Sequence, residues 1–174
     1  MASAASGLSL ITVDTLIDEK DGDLSAGDVS LREALSVVTA GGVINFADSL
    51  AIADVGFGQG VMALTAELVV DKSVAIAGLG ADKLTISGNG ESRVFRLDDG
   101  DAAIASNIVI SGLTVADGDA ATAGGILTAG ENLTFVDAAL NGNRGAIAAT
   151  AAANITLESS SIFNSQDFGI RALG

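Results

Sequence analysis

Short β-branched or Leu-rich runs recur in this chain at a nearly fixed distance, separated by Gly, Asn and Asp turn residues, and few folds accept such a period. Lys83-Leu84-Thr85-Ile86, Asn107-Ile108-Val109-Ile110, Asn132-Leu133-Thr134-Phe135 and Asn154-Ile155-Thr156-Leu157 open similar units, 24, 25 and 22 residues apart. In the last three units the residue eight places after the Asn is again apolar, at Val115, Leu140 and Ile162. Another apolar position follows a Gly-containing turn, at Ile126, Ile147 and Ile170. Each unit therefore offers three short strands, which is the period of a parallel β-helix with one unit per coil. A sandwich also spaces its strands evenly, but it has no need of a similar start in every unit, Asn-apolar in the last three. The pattern predicts an all-β chain: a right-handed parallel β-helix, a solenoid of about 4–5 coils.

The composition suits a narrow coil. Inward positions must alternate large with small, and the chain carries 22 Gly, only 6 Phe, and no Trp or Tyr. It also has no His and no Cys. That removes an imidazole base, a thiolate nucleophile, disulfides and zinc-thiolate chemistry, and leaves oxygen ligands, which suit calcium. A formal charge of −14, from 8 Lys+Arg against 22 Asp+Glu, repels phosphate backbones and anionic lipid, so neither nucleic acid nor membrane insertion is expected. No run approaches the roughly 18 apolar residues of a membrane span, and the Met1 to Gly7 opening lacks the basic and apolar regions of a signal peptide.

Ahead of the repeats the pattern changes. Leu31, Ala34, Leu35 and Val38 fall at helical spacing, predicting an amphipathic helix from Leu31 to about Thr39. Ser30-Leu31-Arg32-Glu33 reads as a capping box, and Gly41-Gly42 as a left-handed stop. Such a helix can cover the open first coil and its unpaired edges. Residues 1–72 are thus expected to form an N-terminal cap region with the first strands, and residues 73–174 the coils, in one continuous domain. Asn132 and Asn154 also begin glycosylation sequons, but their common phase predicts side chains that hydrogen-bond from coil to coil.

Val13-Asp14-Thr15-Leu16, Asp21-Gly22-Asp23-Leu24-Ser25, Ser30-Leu31-Arg32-Glu33-Ala34-Leu35, Ile44-Asn45-Phe46 and the stretch from Ile76 to Asn89 together resemble a known N-terminal region. It is the "SLREAL" region of bacterial secreted right-handed β-helix, adhesin-like surface proteins. The resemblance covers about residues 11–97 and implies an extracellular or cell-surface location and a structural or adhesive role. In it Ser30, Leu31, Arg32, Glu33 and Leu35 are cap residues. The chain departs from that family at Val29, where a Cys is frequent, and at Leu79, where a Pro is frequent.

Three acidic clusters could hold calcium: Asp18, Asp21, Asp23 and Asp28; Asp98, Asp99 and Asp101; and Asp117 with Asp119. The first is the candidate metal site, although it lacks the full alternating register and the twelfth-position Glu of a calcium loop. No cofactor is required. A polysaccharide lyase or hydrolase is the enzymatic alternative, needing an Arg or Lys base or paired carboxylates. Arg144 and Arg171 stand at different phases of the repeat, and Arg93 and Arg96 are expected to pair with Glu91 or Asp98. No catalytic residue is assigned. The expected partners are the chain itself, end to end or through a next coil, or a cell-surface ligand or glycan. A self-assembling fibre or surface-layer subunit is the non-enzymatic alternative.

Overall fold

The structure, a computed structural model, describes residues 8–51, 60–101 and 103–173, so the Met1 to Gly7 opening lies outside it. It is a parallel β-helix solenoid with one helix. Strand β1 (Leu8–Val13) and helix α1 (Leu31–Val37) precede five coils of three strands each. The coils are β2 (Val38–Phe46), β3 (Gly60–Ala63), β4 (Leu68–Val70); β5 (Val74–Ala77), β6 (Leu84–Ser87), β7 (Phe95–Leu97); β8 (Asn107–Ser111), β9 (Thr114–Ala116), β10 (Ile126–Thr128); β11 (Asn132–Val136), β12 (Ala139–Asn141), β13 (Ile147–Ala149); and β14 (Ile155–Glu158), β15 (Ser161–Phe163), β16 (Ile170–Ala172). Equivalent strands stack into three parallel sheets. Sheet A runs β1-β2-β5-β8-β11-β14, sheet B β3-β6-β9-β12-β15, and sheet C β4-β7-β10-β13-β16.

Alternation along each strand makes the core. Ile44, Ile76, Ile110 and Phe135 stack in register on sheet A, Met62, Ile86, Val115 and Leu140 on sheet B, and Leu68, Phe95, Ile126 and Ile147 on sheet C. All are fully buried, and each such side chain contributes roughly 1.5–3 kcal/mol of apolar burial. The sheet A to sheet B corner of the last three coils needs only two residues. Its first residue, Gly112, Asp137 or Ser159, takes positive φ at 59°, 46° or 48°, a region Gly and Asp tolerate best.

The Asn stack forms as expected. Asn132 donates its side-chain amide to Asn107 Oδ1 at 3.0 Å, and Asn154 donates to Asn132 Oδ1 at 2.9 Å. The unit opened at Lys83 does not belong with these. Leu84-Thr85-Ile86 lies in sheet B, beside β9, and the residue aligned one coil before Asn107 is Ser73, whose hydroxyl accepts from the Asn107 amide. Corner residues 78–83 lengthen that coil and shift the apparent phase.

The helix is two residues shorter than expected. Ser30 Oγ accepts from the Glu33 amide at 3.1 Å and Glu33 Oε2 from the Ser30 amide at 3.1 Å, completing the capping box. The helix does not end on a left-handed glycine: Val38 is extended, at φ −63° and ψ 140°, and passes directly into β2. Gly41, at φ 77°, instead sits in β2, where the register with β1 jumps between Leu8↔Val38 and Leu10↔Val43. At Gly42 a Cβ would lie 3.0 Å from the Ser9 carbonyl oxygen and 2.7 Å from the Val38 side chain, so this bulge leaves no room for one.

Helix α1 packs on β1, β2 and β4, and leads into β2 as β4 leads into β5. It thus takes the place of a sheet C strand above β4. Leu31, Ala34 and Leu35 bury inward, while Lys72 Nζ donates to the Leu35 carbonyl. The core runs without interruption from Ile11 to Ile147, across the position where cap region and coils were expected to meet.

Candidate functional site

The concave surface that spans most coils lies on the outside of sheet B. Its floor is two rows in register: Val61, Thr85, Thr114, Ala139 and Ser161, and Ala63, Ser87, Ala116, Asn141 and Phe163. Outward-facing residues of a solvated sheet are ordinarily open. Here Thr85, Ser87, Thr114, Ala116 and Ala139 are buried, because the 78–83 corner and the turn at Asp117 rise on either side. The Thr114 hydroxyl donates to the Ala81 carbonyl at 2.7 Å, tying floor to wall. The groove encloses about 480 Å³ and includes the exposed carboxylates of Asp82 and Asp117, which stand at opposite ends of the strands. Asp117 also borders a smaller depression of about 280 Å³, with Gly90, Gly118, Asp119, Gly142 and Gln166. Neither lining includes a Lys or Arg.

Several of the remaining acids are occupied in holding loops. Both Asp18 oxygens face the Arg32 guanidinium, at 2.8 and 2.9 Å, and Oδ2 also accepts from the amide and hydroxyl of Thr65. Burial alone would raise the Asp18 pKa, but Arg32 and Thr65 outweigh it and hold it below the usual carboxylate value. Asp21 and Asp23 accept from the amides two residues ahead, at Asp23 and Ser25. Asp28 has its pKa raised by desolvation and by the neighbouring Asp21, Asp23, Glu33 and Asp14. Three acids of this region were outside the candidate metal set: Asp14, which accepts from the Gly27 and Val29 amides, Glu19 and Glu33. Glu19 is raised by desolvation and by Asp28, Asp21 and Glu33, and Glu33 accepts from the Gly22 amide at 2.8 Å while capping the helix. Glu33 was recognisable as a cap by its spacing from Ser30, but its contact with Gly22, eleven residues away, has no local signal. Among the described residues no group of three or more acid side chains is arranged to hold a metal ion.

In the second cluster, Asp98, Asp99 and Asp101 each accept from the amide two residues on. The partner that sequence did not single out is Glu131, 1% exposed, whose carboxylate accepts from the amides of Asp99 and Ser106. Desolvation, with Asp99 beside it, raises Glu131. Asp99 is lowered, chiefly by the Ser106 hydroxyl that donates to it at 2.7 Å.

The arginines do not converge on a reaction centre. Arg96 pairs with Asp98 at 3.3 Å as expected, whereas Arg93 pairs with Glu67 at 2.6 Å and not with Glu91. Arg144 lies between Asp119 and Asp167, and Arg171 stands over the Phe168 ring at 5.6 Å. Compared with protein-family models, with curated proteins and with solved structures, the chain matches none.

Proposed function

We propose that this chain is a non-catalytic structural and adhesive module of a bacterial extracellular or cell-surface protein, a β-helical scaffold on whose last coil a further coil stacks. The observation that carries this reading is the state of the last coil. Leu133, Phe135, Leu140 and Ile147 are buried, while the residues aligned with them one coil later, Ile155, Leu157, Ile162 and Ile170, are partly or largely open, Ile170 at 50%. Strands β14, β15 and β16 are each the outer strand of their sheet. Three free edges around an uncovered apolar centre form a template for a coil of the same geometry. Residues 155–173 include two acids and one Arg, so this end largely escapes the repulsion that a charge of −14 imposes elsewhere. Surface location and adhesive role rest on the resemblance of the Ser30 to Leu35 region.

Light scattering with negative-stain microscopy over a concentration series, with calcium and with chelator, tests the reading. The expected result is concentration-dependent association that Ile170→Lys abolishes. A monodisperse monomer throughout the series would overturn the stacking of separate copies and leave the chain a scaffold domain without that interface.

A further inference from the structure

We propose that the outer groove of sheet B binds an oligosaccharide of amino sugars, a hydroxyl-rich chain carrying ammonium groups. The inference deepens the adhesive part of the proposed function and rests on it, while depending on a different surface. The groove crosses five strands, and at about 4.8 Å per coil its floor runs about 19 Å along the solenoid axis. A ligand that fills it is therefore linear and several rings long.

The floor chooses the kind of chain. The backbone N–H and C=O groups of its three middle strands, β6, β9 and β12, are engaged in the parallel ladders on either side, so an extended peptide lying along the floor finds no edge there to pair with. What the floor presents instead is a row of small and polar side chains: Thr114, whose hydroxyl donates to Ala81; Ala139; Asn141, whose Oδ1 accepts from Asn164; and Ser161. No side chain larger than Thr interrupts its middle three coils apart from Asn141, so a flat ring can approach closely. Phe163, 43% exposed, supplies an aromatic surface at one end.

Charge then sets the class. Asp82 and Asp117 enter from opposite walls and, among the described residues, no cation lines the groove, within a chain of charge −14. Uronates and phosphorylated sugars are repelled, whereas a protonated amine on a sugar ring meets a carboxylate at either wall.

The test is calorimetric titration of the full chain at physiological salt with a glucosamine tetramer, its N-acetylated counterpart and a galacturonate tetramer. The glucosamine tetramer is expected to bind, the acetylated one at least about tenfold more weakly, and the galacturonate not at all. Two variants separate groove binding from general attraction to an acidic surface. Ala139→Phe fills the floor without changing charge, and Asp82→Asn with Asp117→Asn removes both carboxylates, Asn being tolerated at the 49° φ of Asp117. Each is expected to weaken the glucosamine tetramer at least about tenfold with the thermal transition retained. Absence of binding by the parent chain, equal affinity for the acetylated tetramer, or undiminished binding by Ala139→Phe would overturn the proposal. Scattering reads coil stacking and calorimetry reads the groove, so either idea can fail alone.

Discussion

Arg32 and Asp18 form a two-pronged ion pair, Nε to Oδ1 at 2.8 Å and Nη2 to Oδ2 at 2.9 Å, in which the Asp18 side chain is 1% exposed. The same guanidinium donates to the carbonyls of Ala66 and Glu67, just ahead of β4. One side chain thus binds the helix to the loop before it and to the first strand of sheet C. Removing Arg32 leaves a shielded carboxylate and two unpaired carbonyls, so Arg32→Ala is expected to cost about 3 kcal/mol, read as a lowered urea midpoint. Arg32→Lys recovers only part of this, because an ammonium cannot span both oxygens in the same plane. An unchanged midpoint in Arg32→Ala would show that the cap is held by apolar contact alone.

Glu33 predicts how the cap responds to acid. Burial would raise its pKa, but the Gly22 and Ser30 amides and the Ser30 hydroxyl bring it below its ordinary value of 4.5. A carboxylate lowered in the folded state adds stability that is fully present above its unfolded pKa and is lost as pH falls through the folded value. Asp18 behaves the same way from its ordinary 3.8. Unfolding midpoints are therefore expected to drop as pH falls below about 4.5, and to drop less steeply in Glu33→Gln and in Asp18→Asn. Ser30→Ala, which removes only the cap hydroxyl, is expected to cost about 1 kcal/mol at neutral pH.

The Asp99 and Glu131 pair has the opposite dependence on one side. Glu131 is raised in the folded state, so its favourable contribution is fully present below its ordinary 4.5 and is lost as pH rises through the raised value. Asp99, lowered, contributes above its ordinary 3.8 and loses this as pH falls through its folded value. The contacts of Asp99 and Ser106 with Glu131 are thus held best near pH 4 and loosen toward neutrality as Glu131 ionises beside the already charged Asp99. Glu131→Gln is expected to destabilise at every pH, because an amide nitrogen cannot accept from the Asp99 or Ser106 amide, and to flatten the decline above pH 4.5. Thermal melts of parent and variant between pH 4 and 8 check this, and parallel curves would remove the pair as its cause.

Much of this architecture is written locally. The 22- and 25-residue intervals among Asn107, Asn132 and Asn154 are the coil length, because those residues stack directly on one another. Ser30 with Glu33 is a cap because both bonds close within four residues. Lys83 was misplaced because inward-apolar, outward-polar alternation is the same on every sheet, so a strand pattern gives the period and not the phase. Gly41 read as a helix stop because positive φ serves a helix end and a strand bulge equally well. The groove had no sequence signature at all. Its depth comes from the 78–83 corner and the Asp117 turn rising beside strands far apart in the chain, and small residues such as Ala139 look the same in a groove floor as in a core.

Leu140 and Ile162 occupy the same inward place in sheet B, one coil apart, and they test the uncovered end directly. Leu140 is fully buried between coils, so Leu140→Ala is expected to cost about 2–5 kcal/mol through lost transfer energy and a residual cavity. Ile162 has a neighbouring coil on one side only, so Ile162→Ala in dilute solution is expected to cost less than about half as much. As concentration rises and ends become covered, the cost of Ile162→Ala should grow toward that of Leu140→Ala, because burial in the assembly adds to burial in the fold. Urea midpoints measured at two widely separated concentrations give the comparison. A gap between the variants that stays fixed would mean that the last coil remains uncovered under those conditions.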